Sequence, residues 1–338
     1  MTSKTPAPAP AGTRLKALQK RAQERMDKRV AELRESELND VKHDPATAQA
    51  PGVFRPIAKA MATHEKRHKR WETETVFGNT TLRFKGHYLL DSFDLTTLLA
   101  LIAIATRTKA NVSHEPATDE GEALRSSLLK NAQMPLFEDG PHVPKAAVAK
   151  FTKYEISKLL TDDTGGAQYA RVMQSLERLS STSVHVVKGE WEYYANIVSG
   201  WASNRDAMAV AIHPLLTEAM RSQGLGDAQY VRLTLDRILS LDGQAAKLLY
   251  PILSTRVFDG RSQVFALDTL VGYIYGHEPA EAGSQKLKDQ RKKVKAGLVE
   301  LGQLDGWTIT QRRDRVEVAR KGSLKSPQGG GQNAPRSA

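Results

Sequence analysis

The chain of 338 residues contains no cysteine. That excludes a disulfide framework, a thiolate nucleophile and a zinc–thiolate site. It has no apolar run near the ~20 residues that a membrane span needs; the longest, residues 95–105, has the length of a buried helix. The N-terminal MTSKTPAPAPAG lacks the apolar stretch of a signal peptide, so a soluble cytoplasmic protein with no membrane association is expected. The signatures of several enzyme classes are missing as well. There is no His-x-His pair of the kind a rolling-circle or relaxase-type nickase sets beside a tyrosine nucleophile. There is no Gly-x4-Gly-Lys-Ser/Thr phosphate loop and no serine set in a nucleophile elbow. Gly165-Gly166 is a lone glycine pair and reads as the turn between two helices. His64 and His68 stand four apart, but in a run of lysine and arginine that repels a cation. No enzymatic activity, no cofactor and no metal site is therefore expected.

Acidic residues are too few to balance the basic ones: 49 Lys and Arg face 38 Asp and Glu, a formal net charge of +11. The hydrophobic fraction of 40% and the charged fraction of 26% are those of a globular chain, long enough for two domains with real cores. A net charge of this sign favours a polyanionic partner, nucleic acid or an anionic membrane surface. With neither a span nor a leader expected, nucleic acid is the default.

The positive charge is concentrated in residues 284–321. The first half is an amphipathic helix with Leu287, Val294, Leu298 and Leu301 on one stripe. Its other faces carry Lys286, Lys288, Arg291, Lys292, Lys293 and Lys295 against Asp289. Gly302 and Asp305-Gly306 then stop the helix. Two alternating runs, 307–311 and 315–319, follow around Arg312-Arg313-Asp314 as a short hairpin. A basic helix followed by a basic hairpin has the form of a winged helix, with the helix in a major groove and the hairpin over the neighbouring backbone. A solvated lysine-rich helix is the plain alternative for one such unit.

Residues 1–13 are rich in Pro and Ala and are expected to be disordered. Residues 14–38 read as a charged, solvated single helix whose apolar stripe is thin and broken by charge, with a coiled coil as the alternative, and 39–52 read as a linker. The run from His64 to Trp71 is a basic cluster usable against phosphates. Order is expected from Glu74, with a hairpin around Gly78-Asn79. A strongly apolar helix over 95–107 follows, capped by Ser92-Phe93-Asp94. Residues 108–145 are read as a long surface loop with a short helix near 122–131. Helices at 152–160 and 167–179 precede strands at 183–188, 190–195, 197–202 and 208–212. A short helix at 214–222 and an alternating run at 230–235 come next. A helix capped by Ser240-Leu241-Asp242 reaches about Arg256, another lies within 265–275, and 322–338 is a tail of Gly, Pro and Ser.

The two halves repeat. SFDLTTLLALI from Ser92 parallels SLDGQAAKLLYPI from Ser240. FTKYEISKLL from Phe151 parallels FALDTLVGYI from Phe265, with Phe151, Ile156 and Leu160 answered by Phe265, Leu270 and Ile274. Each half goes on to a turn, a longer amphipathic helix and a strand pair containing tryptophan. Chance explains any one match, but it explains the shared order poorly. The expected fold is α+β: two tandem winged-helix domains, 74–224 and 225–321, behind a disordered or helical N-terminal extension, 1–73, and ahead of a disordered tail, 322–338.

In this element order the chain resembles the theta-type plasmid replication initiators, the iteron-binding Rep proteins. The run Arg237-Ile238-Leu239-Ser240 through Leu248-Leu249-Tyr250 and the helix and wing after Gly283 are most similar to the TrfA-like branch. The resemblance covers about residues 75–320. It implies binding of both winged helices to double-stranded origin DNA, monomer–dimer exchange through the first, and recruitment of the host helicase and initiator. The loop 108–145 departs from the family's compactness. Inside it, Gln133-Met134-Pro135-Leu136-Phe137 is similar to the Gln-Leu-Ser/Asp-Leu-Phe peptide that docks on the bacterial sliding clamp, with Leu136 and Phe137 as apolar anchors, Gln133 at the rim and Met134 in place of Leu. A hydrophobic segment folded onto its own domain is the alternative.

The candidate DNA-contacting residues in the second unit are Ser284, Gln285, Lys288, Asp289, Arg291, Lys292 and Lys295, with Arg312, Arg313 and Arg315 at the wing. Lys and Arg pair with guanine edges and Gln with adenine, although most contacts go to phosphates. In the first unit the candidates are Gln168, Tyr169, Arg171, Gln174, Ser175 and Arg178, flanked by Lys150, Lys153 and Lys158. Trp191, Trp201 and Trp307 are expected to anchor the wings. The chain is thus expected to be a replication initiator that binds direct repeats, opens the origin and assembles host machinery. A winged-helix transcriptional repressor is the alternative, and a rolling-circle or relaxase-type enzyme a more distant one.

Overall fold

The computed structural model describes residues 20–28, 30–31, 40–78, 80–108, 110–112, 146–161, 163–188, 191–203, 207–213, 215–216, 230–276 and 283–321. Two copies of one topology build it. The first is helix α2 (Ser92–Thr108), strand β5 (Ala146–Phe151), helices α3 (Lys153–Thr161) and α4 (Gly166–Ser180), then strands β8 (Val198–Ser203) and β9 (Met208–Ile212). The second is α6 (Gln244–Arg256), β11 (Ser262–Ala266), α7 (Leu267–Tyr275), α8 (Gln285–Leu301), β12 (Trp307–Arg312) and β13 (Arg315–Arg320). In each, the last strand lies between the other two, in the orders β5-β9-β8 and β11-β13-β12. Helix–strand–helix–helix–wing therefore occurs twice, and the fold is the tandem winged helix of the α+β class.

The first copy carries additions. Strand β4 (Ala110–Val112) extends its sheet at β5. Between α4 and β8 stands the hairpin of β6 (Thr182–Lys188) and β7 (Trp191–Asn196). It does not form the wing: it joins the long hairpin of β2 (His68–Phe77) and β3 (Thr80–Tyr88) in a sheet ordered β2-β3-β6-β7. Gly86 is required there, because a Cβ on it would stand 2.6 Å from the Trp71 ring.

Local chemistry sets the helix ends. Thr152 and Glu155 form a reciprocal capping box at α3, with Thr152 N donating to Glu155 Oε2 at 2.7 Å and Glu155 N to Thr152 Oγ1 at 3.1 Å. Ser284 caps α8 by accepting from Leu287 N at 3.2 Å. At α2 the cap is Asp91 rather than Ser92-Phe93-Asp94, its Oδ1 accepting from Phe93 N and Asp94 N. At α6 the expected Ser240-Leu241-Asp242 cap is replaced. Residues Leu235–Ser240 are themselves a helix, α5, and Glu300 reaches across from α8 to accept from Asp242 N and Gly243 N.

Order begins earlier than the pattern suggests. The segment read as a linker is strand β1 (Asp40–His43) and helix α1 (Pro45–Gln49), with Val41, His43, Ala46, Thr47, Ala48, Val53 and Phe54 buried. Strand β1 pairs antiparallel with β10 (Val231–Thr234), nearly two hundred residues away. The chain beyond α1 touches both copies. Gly52 N donates to Tyr273 O at the end of α7 (3.0 Å) and Ile57 N to Gln244 Oε1 of α6 (2.8 Å). Arg55 N donates to Leu90 O ahead of α2 (2.9 Å), and the Thr73 hydroxyl of β2 to Pro51 O (3.0 Å). Gly52 has φ 66°, and a Cβ would stand 2.7 Å from Gly276 Cα. Residues 40–57 are thus a strap across the two units, not a disordered extension.

One hydrophobic cluster runs through both copies. Its centre is α2, where Leu98, Leu99, Ala100, Leu101 and Ile102 are all fully buried, as expected of a helix apolar on every side. Trp307 is buried at the base of the second wing, 5.9 Å from the Tyr250 ring. Trp201, by contrast, is 37% exposed and anchors no core. The Trp191 side chain, most of the loop 108–145 with the Gln133–Phe137 peptide, and most of the helix expected at 214–222 lie outside the described residues. Among the described residues no helix is long and apolar enough to cross a membrane.

Candidate nucleic-acid interface

Helix α8 buries Leu287, Gln290, Val294, Gly297, Leu298 and Leu301. Gly297 makes this packing close: a Cβ there would stand 2.8 Å from Ala246 N of α6. At 3.6 residues per turn the opposite side carries Gln285, Lys288, Lys292 and Lys295, all exposed. Gln285 donates to Asp289 at 3.0 Å, and Ser284 is occupied as the cap. The wing continues this surface. The Gln311 amide donates to Lys295 O at 3.2 Å, and Arg312, Arg313 and Arg315 stand exposed around the hairpin tip, where Arg313 has φ 52°. Three lysines on the helix and three arginines on the wing form one basic surface.

Arg291 does not belong to it in the same way. Its guanidinium holds the Asp268 carboxylate at the start of α7 by two hydrogen bonds of 2.6 Å. That bond and the charge behind it hold Asp268 below the usual carboxylate range. Arg291 therefore fixes α8 against α7, and Lys288, Lys292 and Lys295 are left to face a ligand.

In the first copy the candidates divide further. Gln174 on α4 is exposed and Gln168 half-buried. Arg171 is exposed, with its guanidinium 3.9 Å from the centre of the Phe93 ring. Lys150 on β5 is exposed. Lys153 lies over the Tyr169 ring at 4.7 Å, joining the first turns of α3 and α4. Ser175 and Arg178 are buried and serve the interior. Arg178 donates to Asp94 Oδ1 at 2.7 Å and the Ser175 hydroxyl to the same oxygen at 2.6 Å. Arg67 pairs with Asp91 at 2.8 Å and approaches Asp94 at 3.5 Å. His64 Nδ1 lies 3.2 Å from Arg178, and its Nε2 3.5 Å from Glu177. Two carboxylates and two guanidiniums thus lock the start of α2, the turn at Glu65–Arg67 and the end of α4. Burial pushes the Asp94 carboxyl up, while Arg67 holds Asp91 down. The basic cluster read between His64 and Trp71 gives up Arg67 to this lock; Lys66, Lys69 and Arg70 remain exposed.

The basic helix and wing were visible as pattern. The Arg178–Asp94 lock and the Arg291–Asp268 pair were missed, because each joins residues far apart in sequence, and a charged residue on an amphipathic helix reads as surface. Among the described residues no group of three His, Asp or Glu side chains could hold a metal ion.

Two helix–turn–helix units, each closed by a wing and the second strongly basic, define a tandem winged-helix DNA-binding protein. The chain belongs to the replication protein C (RepC) family, whose model matches residues 35–321, and it is a replication protein. No curated protein sequence matches it. Among solved structures it is similar to domains 2 and 3 of RctB as a selenomethionine derivative. There the TM-score is 0.50 at 11% identity, over 83% of this chain and 99% of that one. A second structure of RctB domains 2–3 gives 0.46 at 11%, over 82% and 96%. The Pi initiator protein in complex with iteron DNA gives 0.38 at 13%, over 51% and 79%. The first of these likenesses supports the fold.

Proposed function

We propose that the protein initiates plasmid replication by binding direct repeats at the origin through both winged helices, in units corresponding to residues 74–224 and 225–321. It then opens the adjoining duplex and assembles host replication proteins, without a catalytic step of its own. The observation that carries this reading is the continuous outward row of Lys288, Lys292 and Lys295 beside Arg312, Arg313 and Arg315. This is the geometry of a recognition helix in a major groove with its wing on the next backbone segment. Gln285 at the start of α8 suits an adenine edge, and the lysines guanine edges or phosphates. The first unit, with Gln168, Gln174, Arg171, Lys150 and Lys153, contributes less charge and so less affinity. Gln133, Met134, Leu136 and Phe137 are proposed as a sliding-clamp peptide; Leu136→Ala with Phe137→Ala should abolish clamp pull-down and leave DNA binding intact.

The test is selection of bound duplex DNA from a random pool at about 150 mM salt, where purely electrostatic binding is suppressed. One long motif repeated head to tail in a replication origin is the expected result. A short inverted repeat beside promoters would instead identify a repressor, and no enrichment would remove the basis for sequence-specific binding.

A further inference from the structure

The helix at residues 20–28 lies against the first winged helix by one face. Met26 Sδ is 3.8 Å from the Thr152 hydroxyl, and Asp27 accepts a hydrogen bond from the Tyr154 hydroxyl, which Gln23 also contacts. Burial, with the bond to Asp27, pushes the Tyr154 phenol up to about 12. Val30, a turn beyond Met26, is buried. The helix is therefore docked rather than solvated along its length. At about 100° per residue the face opposite Gln23, Met26, Asp27 and Val30 carries Arg21, Arg25 and Lys28, and all three are exposed.

Position makes this face informative. Thr152 and Tyr154 sit at the first turn of α3, and Lys153 between them covers Tyr169 in the first turn of α4. The helix is thus docked beside the first turn of α3, which Lys153 joins to the first turn of α4, and it turns Arg21, Arg25 and Lys28 outward there. This basic row spans about 10 Å at 1.5 Å per residue. The apolar side chains Met26 and Val30 are already used in docking, so the outward face has nothing to bury in a bilayer. What it offers is cationic charge beside a recognition helix that is itself poor in charge.

We propose that residues 20–28 are a third DNA-contacting element, in which Arg21, Arg25 and Lys28 neutralise backbone phosphates flanking the sequence that α4 reads. The proposal rests on the DNA-binding reading above. It adds charge to a first unit whose α4 offers Arg171 as its one outward basic residue, since Arg178 is spent on Asp94.

The experiment compares full-length protein with the Arg21→Gln/Arg25→Gln/Lys28→Gln variant on a long duplex carrying the selected site, between 50 and 200 mM salt. Three phosphate contacts should make the wild-type slope of log affinity against log salt steeper by about 2.7, an advantage that shrinks about 40-fold across that range. On a duplex trimmed on the flank beside the first unit, wild type should behave like the variant. Thermal melting checks that the variant, changed only at exposed positions, stays folded. Wild type that shows no salt-dependent site binding sinks the DNA-binding reading itself. Wild type that binds while the variant keeps the full slope overturns this proposal alone. Tighter binding by the variant overturns it too, and would mean that the helix screens α4.

Discussion

Protonating one buried histidine should loosen the strap. His43 lies on β1 opposite Val231, fully buried, with neither ring nitrogen hydrogen-bonded among the described residues. Burial alone lowers its pKa from 6.5 to about 4. The folded protein thus keeps this ring neutral, while the unfolded chain takes up a proton near pH 6.5. The sign follows: the contribution is whole above pH 6.5 and is lost as pH falls toward 4. Between those limits it amounts to about 3 kcal/mol, of which about 2 kcal/mol is gone at pH 5. His213, lowered by burial to about 3, drifts the same way, so the measurement must be a difference. Urea unfolding of wild type and His43→Leu at pH 7 and pH 5 provides it, since Leu at this site has no proton to take up. The variant should lose about 2 kcal/mol less than wild type on acidification. Equal losses in the two proteins would refute the assignment of a neutral, unpartnered ring to this position.

Replacing Lys288, Lys292 and Lys295 together by Ala should lower the salt slope of site binding by about 2.7, whereas Gln168→Ala with Gln174→Ala should leave the slope unchanged; filter binding across a salt series separates the two. Asp94→Ala strands Arg178 in the interior and should cost about 3–5 kcal/mol in urea unfolding. Adding Arg178→Met should recover much of it, and an additive double variant would deny the pair its coupling. Gly297→Ala drives a methyl into the α6 backbone and should cost about 1–3 kcal/mol, with a stability equal to wild type showing that α8 can move away.

What could be read in advance follows from the range of the forces involved. The α8–wing unit is local: its apolar stripe, the stop at Gly302 and the turn at Arg313-Asp314 lie within some thirty residues, and each obeys a short-range rule. The strap is the opposite case. Its segment from Asp40 to Phe54 is rich in Pro, Ala and Gly and has no apolar period, so it reads as a linker. What orders it is pairing with β10 and a hydrogen bond to Tyr273, neither of which leaves a mark in the neighbouring sequence. The hairpin β6–β7 was legible as a hairpin, but its partner was not, because the choice between wing and β3 lies with residues a hundred positions upstream. Among the candidate contacts, the lysines of α8 kept their predicted exposure. Arg178 is buried and Arg291 half-buried, each holding a carboxylate supplied by another helix.

The strap and the shared core have a consequence for the length of DNA that the protein accepts. Two readers on a flexible linker tolerate variable gaps between their half-sites. Here α4 and α8 belong to one packed body, so the distance and the angular phase between them are constants of the molecule. On the proposed reading, in which both helices contact DNA, the protein would act as a gauge as well as a reader. Half a helical turn of extra duplex between the two contacted stretches, about five base pairs, would carry the second stretch to the far side of the helix axis, where α8 has no way to reach while α4 stays seated.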